Sequence, residues 1–173
     1  NNNISYENRI FDDINYLADN KLEGRQTGSE GEQIAADYIA DRFKILKIDA
    51  KGTNSYFQDF SFNKSSNPHE QVTFEDTDNE NQIFSKNVIG FIDNGAKNTV
   101  VIGAHYDHLG YGGQGSLYVG KEIHNGADDN ASGTALMLDL ANQLKFDNFN
   151  NNYLFIGFSG EEMGLLGSNY FVK

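Results

Sequence analysis

The chain contains no cysteine, which excludes disulfides and thiolate metal sites but leaves the compartment open. Proline occurs once, at Pro68; lysines outnumber arginines, and asparagine is abundant. This inverts the usual thermostable composition and suits a cold or temperate source or an AT-rich genome equally. No apolar run is long enough to cross a bilayer. Basic residues are also scarce, with 13 Lys and Arg against 25 Asp and Glu, a net charge of −12. That balance argues against nucleic acid and anionic membranes as partners. It suits solubility outside the cell, so an extracellular or periplasmic location is expected, and it suits a site that collects cations. What remains is ordinary: 173 residues, 38% hydrophobic and 22% charged, enough for one globular domain over 1–173 with a real core.

Ser5 to Asp19 places Ile10, Ile14 and Leu17 at helical spacing, with Ser5 able to cap. The polar, glycine-rich "NKLEGRQTGSEGEQ" follows. A second helix is predicted from Ser29, where Ser29 and Glu32 fit a capping box and Ala35, Ile39 and Phe43 form one apolar row beside Ile34 and Tyr38. "YFQDFSF", "QVTFE" and "NVIGFID" read as strands, with a turn at "NKSSNPHE". "NTVVIGAHYDH" is predicted as a buried strand running into a polar end, followed by a long glycine-rich loop of the kind that is often functional. "ASGTALMLDLANQLK" is a helix opened by Asn130 or Ser132, "NNYLFIGFSG" a buried strand, and "EEMGLLGSNYFVK" the start of a helix. The order predicts an α/β layer with at least part of its sheet parallel, and such sheets place their sites at the carboxyl ends of the strands.

Two of these strands end in candidate ligands. One ends in His105 and Asp107, the other in Glu161 and Glu162; between them "NGADDNASG" sets Asp128 and Asp129 at the mouth of a helix. Each group has a plain alternative: a histidine near a turn, an aspartate capping a helix, a glutamate pair at the positive end of a helix dipole. If the strands are neighbours, all three groups meet at one edge of the sheet. Two adjacent carboxylates repel unless a cation binds one of them. The other is then free to take a proton from water, which is the division of labour that metal-assisted hydrolysis needs. A histidine and oxygen donor set without cysteine fits zinc, cobalt or manganese.

The blocks "GAHYDH", "NGADDNASG" and "FSGEEMGLLGS", in that order, resemble the M28 family of zinc metallopeptidases, the co-catalytic dizinc aminopeptidases. "LEGRQTGSEGEQIAADYI" is similar to the segment that opens many members, so the resemblance spans the chain from Leu22 onward. It implies a three-layer α/β/α sandwich around a mixed, largely parallel sheet, as in zinc exopeptidases. It implies that His105 ligates one zinc, that Asp107 orients that histidine, that Asp129 bridges two zincs and that Glu162 ligates the other. Glu161 would be the general base on the attacking water, and a cis peptide is expected at Asp129–Asn130. Asp128 is then structural, and His69, His108 and His124 are expected to be exposed loop histidines. The implied activity is removal of N-terminal residues from peptides.

The family needs a further aspartate and a last histidine beyond the second glutamate, and no Asp or His follows Glu162 in this chain. The expectation is therefore the N-terminal portion of a peptidase domain, incomplete at its C-terminus and open at one side of its sheet. The rest of the site would come from the missing part or from a second chain, and the specificity pocket would lie past Lys173. The span from Leu46 to Thr99 is too short for a protease-associated insert. Three rivals share the scaffold: a single-zinc glutaminyl cyclase, whose second block differs from the intact "ADDNASG"; a carboxypeptidase; and a non-catalytic binding module, which tends to lose the ligands.

Overall fold

The computed structural model describes residues 6–63, 74, 81–113, 116–145 and 150–173. Ser5, Pro68, His69, the "NKSSNPHE" turn beyond Asn63 and the "QVTFE" strand other than Phe74 lie outside these residues.

Helix α1 (Tyr6–Leu17) runs into a short 3-10 turn (Asn20–Leu22) capped by the side chain of Asp19. Helix α2 (Glu30–Ile45) starts at Ser29, whose hydroxyl accepts the Glu32 N–H, half of the expected capping box. The other half is absent: the Glu32 carboxylate accepts the Gly28 N–H at 2.6 Å and turns inward to Ser85 and Ser159. Buried hydroxyls outcompete the cap for it. Ala35, Ile39 and Phe43 form the fully buried row, as the helical spacing requires.

The strands are β1 (Asp49–Ala50), β2 (Phe57–Asn63), β3 (Gln82–Ile92), β4 (Thr99–His105) and β5 (Asn152–Phe158). Their order is β1-β3-β5-β4, and β2 also pairs β3. The sheet is mixed, but among the described strands only β4 and β5 pair in parallel; β1, β2 and β5 all run antiparallel to β3. The parallel part of the expected mixed sheet is, among the described strands, the β4–β5 pair alone, and the connections explain why. A parallel pair needs a crossover, and β4 and β5 are joined by one, through helix α3 (Ser132–Leu144). The short link over 93–98 reverses the chain, so β4 opposes β3; β5 then slots between them, parallel to one and antiparallel to the other.

Helices α1, α2 and α3 share one face of the sheet, around a core of Leu17, Ile39, Phe43, Ile48, Val88, Leu138 and Phe155. Packing is close enough at Gly90 that a Cβ would lie 2.9 Å from the Phe43 ring. Buried polar groups fix the helices to one another. Arg9 of α1 donates to Asp139 of α3, and Asp13 of α1 accepts from Tyr38 and Arg42 of α2. Helix α4 (Leu166–Phe171) lies on the other face, where Asn87, next to inward-facing Val88, donates to the Gly167 carbonyl at 2.8 Å. A second apolar cluster of Phe60, Phe62 and Leu166 forms there. Strand β4 is the edge of the described sheet. It is less buried than its sequence suggests, with Val101 56% exposed, because no described strand lies beyond it. Among the described residues no helix is long and apolar enough to span a membrane.

Candidate active site

Parallel pairing sets His105, the last residue of β4, opposite Phe158, the last of β5. The residues just beyond each strand therefore meet at the carboxyl edge. Asp107 is fully buried there. Its Oδ1 accepts the Glu161 N–H at 3.1 Å, and its Oδ2 accepts the Glu162 N–H at 3.3 Å and the Thr27 hydroxyl at 3.0 Å. One carboxylate thus ties the end of β4, the turn after β5 and the segment before α2. The two glutamates occupy that turn rather than a helix: the Gly164 and Leu165 N–H groups close on the Glu161 carbonyl, and α4 begins only at Leu166.

The His105 ring points outward from the sheet edge. Its Nδ1 lies 3.3 Å from the Asp107 carbonyl and 3.7 Å from the Asp107 carboxylate, so the main chain of Asp107 holds the ring more closely than its side chain does. Nε2 stands 3.0 Å from Asp129 Oδ1 and 4.0 Å from Glu161 Oε2. Asp129 reaches this point from a kinked turn (Ala127–Ala131) that precedes α3, and the Asp129–Asn130 peptide is cis. Asn130 opens the helix by accepting the Gly133 N–H at 3.0 Å. Asp128 is exposed and offers only its carbonyl, to Ser132. A cavity of about 320 Å³ opens beside these groups, lined by His105, Asn130, Phe158, Glu161 and Leu165.

Electrostatics follow from crowding. Burial pulls the His105 pKa down, but the Asp107 carboxylate close beside the ring, with Glu161 and Asp129, outweighs it and raises the pKa from 6.5 to about 9. Glu161 is raised above the usual carboxylate range, chiefly by burial; His105 opposes that shift, and Glu162, Asp107 and Asp129 reinforce it.

His108 corrects the expectation of an exposed loop histidine. It is half-buried, with Nδ1 2.7 Å from Glu162 Oε1, and donor atoms of His108, Asp129 and Glu162 all lie within 4.8 Å of one another. His124 is also half-buried and lies 3.0 Å from the Ser116 hydroxyl. Sequence reading sets His108 aside, as a loop histidine and as a stand-in ligand, because the family pattern gives it no role. The turn after β4 brings it round to Glu162. The second histidine of "HYDH" was the available signal.

All five residues singled out from the sequence thus lie at one sheet edge. Asp129 faces both sub-clusters, His105 and Glu161 on one side, His108 and Glu162 on the other. The family model described as Peptidase family M28 matches residues 87–173, which carry all of them. The chain belongs to peptidase family M28. M28 relatives include a probable leucine aminopeptidase of Trichophyton verrucosum, 42% identical over 93 residues, or 50% of this chain and 23% of that protein. The alkaline phosphatase isozyme conversion protein of Escherichia coli is 28% identical over 154 residues, 87% of this chain and 41% of its own length. The chain therefore spans well under half the length of these relatives. Among solved structures, a zinc aminopeptidase of Bacillus subtilis superposes with a TM-score of 0.68 at 18% identity, covering 95% of this chain and 64% of that one. A glutaminyl cyclase of Tannerella forsythia gives 0.75 at 18% identity, covering 98% and 56%. At that identity both show the M28-type fold alone.

One buried carboxylate stands behind the site. Burial raises Glu32 from 4.5 to about 7, against the hydrogen bonds from Ser159, Gly28 and Ser85. The folded protein therefore holds this proton more tightly than the unfolded chain. Stability from this group is full below pH 4.5 and is lost as pH rises through 7, by about 3 kcal/mol at 1.36 kcal/mol per unit. Urea unfolding of metal-free protein at pH 5 and pH 8 is expected to show that decline. Glu32→Gln, which carries no titrating proton, is expected to show a smaller decline, keeping only the share that the raised His105 pKa contributes above pH 6.5; an equal decline in both proteins would assign it elsewhere.

Proposed function

We propose that the full-length protein is a zinc-dependent aminopeptidase that removes N-terminal residues from peptides. The observation that carries this reading is the convergence of His105, Asp129, Glu161 and Glu162 around buried Asp107 at the carboxyl ends of two parallel strands. The donor set fits the metal: imidazole and carboxylate groups only, three of them within 4.8 Å of one another. His105 would hold one ion, Asp129 would bridge to a second, and Glu162 would hold that second ion, with ligands from further chain completing both. His108 either anchors Glu162 by donating Nδ1–H or, deprotonated, offers that nitrogen as a donor.

Bound zinc would polarise the scissile carbonyl and acidify water. The chain's own residues do the rest. Glu161, 36% exposed on its side chain and facing the cavity, takes the proton of the attacking water and returns it to the departing amine. Asp107 holds the backbone of Glu161 and Glu162, which fixes both carboxylates relative to His105. An extracellular or periplasmic location belongs to the same proposal and is supported by the net charge of −12.

The test uses the full-length protein with free and N-acetylated peptides. Release of free amino acids from the unblocked peptide only, lost on chelation and restored by zinc, is the expected result. Cyclised N-terminal glutamine without amino-acid release would move the assignment to a glutaminyl cyclase. Cleavage of the acetylated peptide from its other end would make it a carboxypeptidase. Activity indifferent to chelation would end the metal reading.

A further inference from the structure

Arg25 lies in "LEGRQTG", a segment whose role the reaction does not explain. Its side chain is fully buried. Its hydrogen-bonding partners are main-chain carbonyls rather than a carboxylate. Nε donates to Tyr106 O at 2.7 Å, Nη1 to Leu17 O and to Asn125 O at 2.7 Å, and Nη2 to Gly126 O at 3.0 Å. Burial pulls its pKa down to about 10, while Asp107 and Asp129 push back, so it stays charged at neutral pH.

The carbonyls identify what is being held. Tyr106 lies between His105 and Asp107, and Asn125 and Gly126 lead into the turn that carries Asp129. The arginine main chain joins in: its carbonyl accepts the His108 N–H at 3.0 Å. Neighbouring Gly24, at φ +70°, packs so tightly on the same loops that a Cβ would lie 2.5 Å from the carbonyl oxygens of Gly110 and His124. A planar guanidinium has five donors in a fixed fork; a lysine ammonium is a point charge and cannot span these carbonyls.

We propose that Arg25 is a positioning residue for the metal centre, fixing the loop that carries Asp129 against the strand end that carries His105. It rests on the metal reading given above. Its effect is on metal affinity and coordination, because His105 ends a strand, Asp129 sits on a separate turn, and Arg25 is bonded to the main chain beside each.

The experiment is zinc affinity by chelator competition, with the visible spectrum of the cobalt(II) form, on full-length Arg25→Lys. Zinc affinity is expected to fall about 10- to 100-fold, the usual cost of losing a group that orients ligands, with a changed cobalt spectrum. Ile48→Ala, a cavity in the core remote from the loops, is the control: it is expected to lower the unfolding midpoint and leave affinity and spectrum unchanged. If Arg25→Lys does not fold, Arg25→Gln takes its place: it buries no charge and its amide offers N–H groups to fewer of the carbonyls that Arg25 holds. Wild-type affinity and spectrum in Arg25→Lys, or in Arg25→Gln if that stands in, would overturn the proposal while leaving the metal reading intact. A wild-type protein that retains no zinc would overturn both.

Discussion

Glu161→Gln is expected to lower kcat of the full-length protein by about 10²- to 10⁴-fold while leaving bound metal and KM near wild type. Glutamine keeps the size and the backbone bond to Asp107, so the turn after β5 is preserved. What it loses is basicity. Glu161 Oε2 lies 4.0 Å from His105 Nε2 and faces the cavity, where a proton can pass between water and a leaving amine. Glu162 cannot substitute. Its carboxylate is turned to His108 at 2.7 Å and is only 19% exposed. The two adjacent glutamates therefore have different tasks, and the matching change at Glu162 should weaken metal binding instead of the chemical step alone. A loss confined to KM, or wild-type turnover in Glu161→Gln, would remove Glu161 from the role of general base.

The sequence makes the site legible where chemistry is local. His105 and Asp107 end one apolar run and Glu161 and Glu162 follow another, and a helix between the two runs implies a crossover and hence a parallel pair. That logic implies the β4–α3–β5 unit, and the parallel β4–β5 pair is where the site residues meet. It failed where a partner is distant in sequence and carries no periodic signal. Thr27, Arg25 and Glu32 reach Asp107, the Asp129 loop and Ser159 across 80 or more residues, through hydrogen bonds that leave no pattern in the chain. The capping-box reading of Glu32 shows the same limit: local propensity named a good partner, and buried Ser85 and Ser159 took one carboxylate oxygen while the Gly28 N–H took the other. The residues themselves imply one parallel pair, β4 with β5; the antiparallel pairing of β1, β2 and β5 with β3 carries no comparable signal in the chain.

Asp107→Asn is expected to be the most damaging change of a single atom in the chain. The buried carboxylate accepts three hydrogen bonds on two oxygens, from Glu161 N, Glu162 N and Thr27 Oγ1. Asparagine turns one of those oxygens into a donor, so in either flip an N–H faces an N–H at a fully buried position. One such unsatisfied buried pairing costs about 1–3 kcal/mol, and this variant is expected to lose at least that from its unfolding free energy. The charge matters as well. Asp107 is the leading contributor holding the His105 pKa up to about 9 against burial. Without that charge burial gains the upper hand, and the His105 pKa in metal-free protein should fall toward or below 6.5. An NMR titration of the histidine ring protons reads this directly. Metal affinity should drop about 10- to 100-fold, because the turn bearing Glu161 and Glu162 loses its anchor. The two readouts separate the causes. A fallen His105 pKa with wild-type metal affinity would mean that Asp107 tunes the histidine and does not position the glutamates. Lost affinity with an unchanged His105 pKa would mean the reverse, and no change in either would refute both roles.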